Sequence, residues 1–196
     1  MILDKLKEVK VILGSQSPRR RELLSALEIS FEVMIREVDE RFDSDIPVQD
    51  MALEIARKKS AAFLDEFFFD ALVITADTIV IDTYGNPIGK PKDKAEAVRV
   101  LGRLSGDRHV VHTAVVLLYR GEQYHFTEET IVWFAALSDD EIQYYVNQYQ
   151  PYDKAGAYGI QEWIGRIAVT KIEGSYENVV GLPTSRLFQE LKKIVK

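Results

Sequence analysis

The chain contains no cysteine. Disulfides, thiol nucleophiles and cysteine-ligated zinc or iron–sulfur centres are therefore excluded, and a reducing compartment fits. Only three histidines are present, at His109, His112 and His125. His109 and His112 differ by an odd number on an apparent strand, so they face opposite sides and do not share a metal easily. No Gly-x-Ser-x-Gly elbow supports a serine hydrolase. No Walker A loop is present either, because Gly14 is followed by Ser-Gln-Ser-Pro-Arg. No apolar run approaches membrane length. The opening Met-Ile-Leu-Asp-Lys-Leu-Lys-Glu is too charged for a signal peptide, so a cytoplasmic protein without a membrane partner is expected. No repeat, low-complexity tract or evident linker interrupts the sequence, and one domain over residues 1–196 is expected. A net charge of −6 argues against a general nucleic-acid binder.

Against that acidic background one basic segment is prominent. Residues 11–21 read Val-Ile-Leu-Gly-Ser-Gln-Ser-Pro-Arg-Arg-Arg. A short apolar run ends at Gly14, Ser17 can cap a helix, and Pro18 fits its first position. Three arginines in a first helical turn oppose the macrodipole, which prefers an anion there. A phosphate in front of the helix removes the conflict, held by backbone N–H groups, serine hydroxyls and guanidinium forks. A solvated basic turn is the bland alternative.

Periodicity predicts strands at 9–13, 31–36, 72–82 and 166–172. Helices are expected at 17–27, 47–67, 93–104, 139–149 and 185–195. Segments 109–119 and 124–135 flank Arg120-Gly-Glu-Gln123 and read as a hairpin. Asp93 with Glu96, and Ser138 with Glu141, have capping-box spacing. Residues 152–162 form a glycine-rich loop, and 173–184 are turn-rich. The class is α/β with a mixed sheet.

Within strand 72–82, Asp77 interrupts an apolar run. An ionised aspartate is costly to bury unless it is paired or binds a metal. Alternation puts Val73, Thr75, Asp77, Ile79 and Ile81 on one face and Thr78 on the other. A structural aspartate accepting backbone N–H bonds is the alternative, although mid-strand aspartate is a poor structural choice. If the carboxylate is uncompensated, Asp77→Asn raises the melting temperature. The acidic run Arg36-Glu-Val-Asp-Glu40 offers further oxygens that would suit Mg²⁺ together with Asp77. Lys58, Lys59 and Lys90 are candidate phosphate contacts, with surface charge as the alternative for each.

The blocks Ser15-Gln-Ser-Pro-Arg-Arg-Arg-Glu-Leu-Leu24, Val38-Asp-Glu40, Ala56-Arg-Lys-Lys59 and Ala76-Asp-Thr-Ile-Val80 continue in order along the chain. After them come Gly89-Lys-Pro91, Leu104-Ser-Gly-Asp-Arg-His109, Thr113-Ala-Val115, Asp153-Lys-Ala-Gly-Ala-Tyr-Gly-Ile-Gln161 and Gly174-Ser-Tyr-Glu-Asn-Val-Val-Gly-Leu-Pro183. This series closely resembles the Maf family of nucleoside triphosphate pyrophosphatases, over nearly the whole length. The resemblance implies an α/β fold with a mixed, twisted sheet in two lobes around a central cleft, akin to the inosine triphosphate pyrophosphatase fold. It implies an acid-anhydride hydrolase that cleaves a nucleoside triphosphate to the monophosphate and pyrophosphate with a divalent cation, Mg²⁺ or Mn²⁺, and it leaves a homodimer open. By motif, Ser15, Arg19 and Arg20 would hold phosphates, with Lys59 and Lys90 on the phosphate chain. Glu40 and Asp77 would ligate metal, and Asp77 would also activate water. The Ala-Asp-Thr and Tyr-Gly-Ile-Gln forms resemble the branch acting on dTTP and UTP, with Arg20, Thr78 and Gln161 at its specificity positions. A glutamine amide matches the alternating donor and acceptors of a uracil or thymine edge. Val180 and Trp163 depart from the pattern, replacing a bulkier and a smaller residue respectively. A 7-methyl-GTP pyrophosphatase of the sister branch and a non-catalytic regulator of septum formation are the alternative readings.

Overall fold

The computed structural model describes residues 1–41 and 46–195. Along the chain lie α1 (Ile2–Leu6), β1 (Lys10–Leu13), α2 (Pro18–Ser25), β2 (Glu32–Val33), α3 (Met51–Ala61) and β3 (Ala71–Asp82). Then follow β4 (Pro87–Ile88), α4 (Lys94–Leu104), β5 (Arg108–Tyr119), β6 (Glu122–Phe134) and α5 (Asp139–Tyr149). The chain continues through α6 (Trp163–Ala168), β7 (Val169–Glu173), α7 (Tyr176–Val180) and α8 (Thr184–Ile194). The strands form one sheet in the order β2-β1-β3-β5-β6-β7, and β4 pairs with β3 off that path. β1 is parallel to β2 and β3, whereas β4 is antiparallel to β3 and β7 to β6. The fold is mixed α/β with a mixed sheet, as the sequence predicts.

Two compact units divide the chain. The first comprises Met1–Asp77, Thr113–Glu128 and Gly181–Lys196; the second comprises Thr78–His112 and Glu129–Val180. In the first, side chains of β1 and β3 alternate between two apolar clusters. Val11, Leu13, Leu72 and Ile74 pack with Leu24 of α2 and with Leu187 and Leu191 of α8. Ile12 and Val73 pack on the other side with Phe63, Phe68 and Leu118. In the second unit, Val80, Val111, Val132 and Phe134 pack with Leu101 and Leu104 of α4, Tyr145 and Val146 of α5, and Ile164 of α6.

The caps read from sequence are present. Ser17 Oγ accepts from Arg20 N at the start of α2, with Pro18 in the first turn. Asp93 caps α4, although Glu96 reaches back to Lys92 N instead of Asp93 N. Ser138 and Glu141 form a complete capping box on α5.

Three element assignments differ. The expected helix 47–67 is a 3₁₀ turn at Val48–Asp50, then α3, then a second 3₁₀ turn at Glu66–Phe68. Burial of Phe63 and Phe68, whose rings meet edge to face at 5.2 Å, wins over helix continuation, and Asp65 caps the second turn through Phe67 N at 3.0 Å. The strand expected at 166–172 starts later, because residues 163–168 form α6. Ile164 and Ala168, one helical turn apart, are both fully buried. A side chain at Gly165 would come within 1.8 Å of Ile160 O, so glycine lets this helix press onto the preceding loop. The strand expected at 31–36 shrinks to the two residues of β2. The short helices α1 and α7 carry too few residues to show a period in the sequence.

Candidate active site

Parallel pairing of β1 with β3 sets Leu13 beside Ile74, and Gly14 N extends the ladder to Ile74 O at 2.8 Å. A Cβ at Gly14 would lie 2.8 Å from Thr75 Cγ2 and 3.2 Å from the Phe63 ring, so only glycine allows the chain to leave β1 this close to β3. Ser15 Oγ then accepts from Ser17 N at 3.3 Å. The glycine turn and the capped start of α2 stand where the sequence places them.

The arginines separate. Arg19 is half-buried and Arg21 exposed, whereas Arg20 turns inward. Its Nε donates to Gly181 O at 2.7 Å, and its Nη1 to Ala76 O at 2.8 Å and Ser15 Oγ at 3.3 Å. Burial lowers the pKa of this guanidinium, an effect the Asp77 carboxylate opposes first and Glu40 less. Arginine nevertheless stays protonated in proteins. Ala76 immediately precedes Asp77, so one guanidinium links the Ser15 turn to the backbone that presents Asp77. This inward turn removes one of the three positive charges from the front of α2.

Asp77 and Lys59 meet because β3 packs on α3. Thr75 Oγ1 donates to Ala56 O in α3 at 2.8 Å. One helical step further on, Lys59 Nζ lies 2.8 Å from Asp77 Oδ1. Thr75 and Asp77 thus share the face that alternation predicts. The same ammonium lies 2.8 Å from Glu40 Oε1. Lys59 and Asp77 side chains are 14% and 13% exposed, and Glu40 is 46% exposed. The two carboxylate oxygens can be no further apart than twice that contact distance. The Lys59 ammonium and the nearby Arg20 guanidinium together offset the charge of the two carboxylates. Among the described residues, no group of three or more His, Asp or Glu side chains could hold a metal ion. An oxygen pair is nevertheless the donor set Mg²⁺ accepts when phosphate and water complete its shell, so the residues fit such an ion. Lys58, by contrast, pairs with Glu54 at 2.6 Å within α3.

Three of the residues singled out in the sequence belong to the second unit. Thr78 follows Asp77 on β3 and is half-buried. Lys90 is exposed just beyond β4, next to Gly89, whose carbonyl accepts from Gly156 N at 3.2 Å. Gln161 sits in a turn closed by Glu162 N donating to Gly159 O at 3.0 Å. Its Oε1 is buried and has no hydrogen-bond partner among the described residues. A buried acceptor left unmatched costs about 1–3 kcal/mol. His109 and His112 point apart: His109 contacts the Tyr158 hydroxyl at 2.7 Å and His112 contacts Glu129 at 3.2 Å.

Sequence reasoning missed the carbonyls of Ala76 and Gly181, which carry no side-chain signal. It also missed Tyr145 and Glu162, which hold the glycine-rich loop. Tyr145 reads only as an apolar-face helix position, and Glu162 lies just outside the motif that ends at Gln161.

The family model described as Maf-like protein matches residues 10–194. A Porphyromonas gingivalis protein named dTTP/UTP pyrophosphatase is 48% identical over 194 residues, spanning 97% of each chain. A Parabacteroides distasonis protein of the same name is 48% identical over 192 residues, spanning 97% of this chain and 99% of that one. The Staphylococcus aureus Ham1 protein structure covers 95% of this chain and all of its own, with a TM-score of 0.51 at 13% identity, a likeness of fold alone. With the turn at Ser15, the Lys59–Asp77 pair and the Gln161 loop all lying inside residues 10–194, the chain belongs to the Maf-like protein family.

Proposed function

We propose that this protein is a nucleoside triphosphate pyrophosphatase that hydrolyses dTTP and UTP to the monophosphate and pyrophosphate. The observation that carries the reading is Lys59 Nζ held between Asp77 and Glu40, in the same unit as the Ser15 turn and the start of α2. Relatives 42–48% identical over nearly their whole length carry the name dTTP/UTP pyrophosphatase. An acidic, cysteine-free chain acting on free nucleotides fits a cytoplasmic setting.

The residues divide the chemistry among them. Ser15 Oγ and Arg19 hold phosphate oxygens in front of α2, where backbone N–H groups and the dipole favour an anion. Lys59 and Lys90 add ammonium charge along the phosphate chain. Asp77 offers the oxygen that Lys59 does not take, Oδ2, as the base for a water attacking the α-phosphorus. Cleavage of the Pα–O bond to the β-phosphate then releases pyrophosphate as the leaving group. Glu40 and Asp77 would hold a divalent cation, which when bound neutralises phosphate charge and makes water more acidic. Gln161 reads the base, accepting from N3–H through Oε1 and donating to a carbonyl through its amide nitrogen. Thr78 borders Asp77 and supports the same selectivity.

A nucleotide panel with Mg²⁺, its products separated by anion exchange, tests the proposal. UTP should give UMP and pyrophosphate, with dTTP and UTP preferred over CTP, GTP and 7-methyl-GTP. UDP with orthophosphate, no turnover, or a preference for 7-methyl-GTP would each overturn it.

A further inference from the structure

Tyr145 lies on α5, outside every block that carries the family resemblance, and is fully buried. Its hydroxyl accepts from Gly159 N at 3.0 Å and donates to Glu162 Oε2. Glu162 N donates to Gly159 O, so a four-residue turn closes over residues 159–162 with Gln161 in its third position. A single phenol therefore fastens both ends of the turn that presents Gln161. The other oxygen of Glu162 lies 3.2 Å from Lys154 Nζ, which in turn lies 2.8 Å from Asp153 Oδ1 at the start of the same loop. Lys154 is itself buried between these two carboxylates. The whole brace lies within the second unit.

We propose that Tyr145 is a positioning residue for nucleobase selection, holding the 159–162 turn so that Gln161 meets the base edge in a fixed orientation. The inference rests on Gln161 as the base reader. Discrimination through a paired acceptor and donor requires placement within about 0.5 Å and 10–20°. A turn free to rotate by more than that would offer the same amide in several orientations, and mismatched bases would find a partner. The brace suits the task because both of its anchors on the turn, Gly159 N and Glu162, flank Gln161 without using the Gln161 side chain. Burial, with Glu162 next in effect, pushes the phenol far above its ordinary pKa, so it remains a neutral donor to Glu162 at every working pH. A satisfied core tyrosine with no bearing on specificity would behave differently on removal. It would lower thermal stability and reduce activity toward all nucleotides alike.

The test measures kcat/KM for UTP and GTP, with the melting temperature, in wild type, Tyr145→Phe, Gln161→Ala and the double variant. Tyr145→Phe keeps the ring and removes the hydroxyl. It should lower the UTP-over-GTP ratio by about tenfold, since misplacement of about 1 Å costs up to roughly 10²-fold. Gln161→Ala should lower the ratio further, and adding Tyr145→Phe to it should change nothing more, the signature of two residues acting as one unit. If Gln161→Ala collapses the ratio and Tyr145→Phe leaves it intact, Tyr145 is structural only and Gln161 remains the reader. If Gln161→Ala leaves the ratio intact, Gln161 is not the reader and the inference falls with it. Should Tyr145→Phe not fold, Glu162→Gln decides by the same ratio, since it keeps the shape and removes the charge paired with Lys154.

Discussion

Lys59 Nζ and Asp77 Oδ1 lie 2.8 Å apart, and this contact changes what an aspartate in the middle of β3 means for stability. Taken as an isolated buried carboxylate, Asp77 would destabilise the fold, and its removal would raise the melting temperature. It is not isolated. In Asp77→Asn the amide oxygen can still accept from Lys59, and Glu40 still balances the ammonium. The melting temperature should therefore stay the same or fall slightly, correcting the expectation of a rise. Turnover should drop about 10²–10⁴-fold, the usual worth of a general base. Calorimetry with steady-state UTP kinetics checks both; a rise in melting temperature, or turnover within about threefold of wild type on that same scale, would remove Asp77 from this role.

Lys59 and a divalent cation would compete for the same two carboxylates. Lys59→Met leaves Asp77 and Glu40 facing each other without the ammonium. In the absence of nucleotide, this variant should bind Mn²⁺ more tightly than wild type, as read by electron paramagnetic resonance of the free ion. Its kcat/KM for UTP should nevertheless fall about 10- to 100-fold, the loss of one charge-assisted hydrogen bond of about 1.5–3 kcal/mol. Unchanged or weaker Mn²⁺ binding would separate the carboxylate pair from any metal role.

Arg19 and Arg20 are neighbours with different duties. Arg20→Ala would leave Ala76 O and Gly181 O buried without their donor, at about 1–3 kcal/mol each. For a chain of this length the melting temperature should fall on the order of 10 °C. Arg19→Ala should leave it within about 2 °C, the range of a surface change, and lower kcat/KM equally for dTTP, UTP and CTP. Equal melting temperatures for the two variants would contradict the structural role of Arg20, and a loss confined to one base would make Arg19 a base reader.

The parts of this fold legible in sequence are those encoded locally. Ser17-Pro18, Asp93 and Ser138 fix helix starts through their own side chains, and each is where the sequence places it. Alternation along β3 correctly put Thr75 and Asp77 on one face, because a strand alternates whatever packs on it. What failed was decided by distant partners. Phe63 and Phe68 leave the helical path to join Ile12 and Val73 in a core, which no local pattern announces. Ile164 and Ala168 suit helix or strand alike in so short a run, and the close approach of Gly165 to Ile160 O in the preceding loop is not announced by any local pattern. The same division holds in the site. Ser15, Lys59, Asp77 and Gln161 stand in motifs, whereas the inward turn of Arg20 depends on backbone carbonyls 56 and 161 residues away.

His109 makes a prediction about acid. It is fully buried, its Nε2 contacts the Tyr158 hydroxyl at 2.7 Å, and its ring meets Phe134 and Tyr158 edge to face at 4.9 and 5.3 Å. Burial pulls its pKa down to about 4, with the Asp107 charge opposing only in part. In the unfolded chain the same imidazole titrates near 6.5. Between pH 6.5 and 4 the unfolded state therefore binds a proton that the native state refuses. Stability rises with pH wherever the unfolded state holds more protons. The contribution is fully present above pH 6.5 and is lost as pH falls toward 4, by roughly 3 kcal/mol at most. Carboxylates that accept hydrogen bonds in the native state, such as Asp82 from Asn86 N and then Arg103, which hold its pKa down against burial, also cost stability in acid, so the total slope does not isolate the histidine. The comparison does. His109→Gln keeps a polar group against the Tyr158 hydroxyl and cannot take up a proton. Its melting temperature should fall less steeply than that of wild type between pH 6.5 and 4. Parallel curves would show that His109 is protonated in the native state as readily as in the unfolded chain.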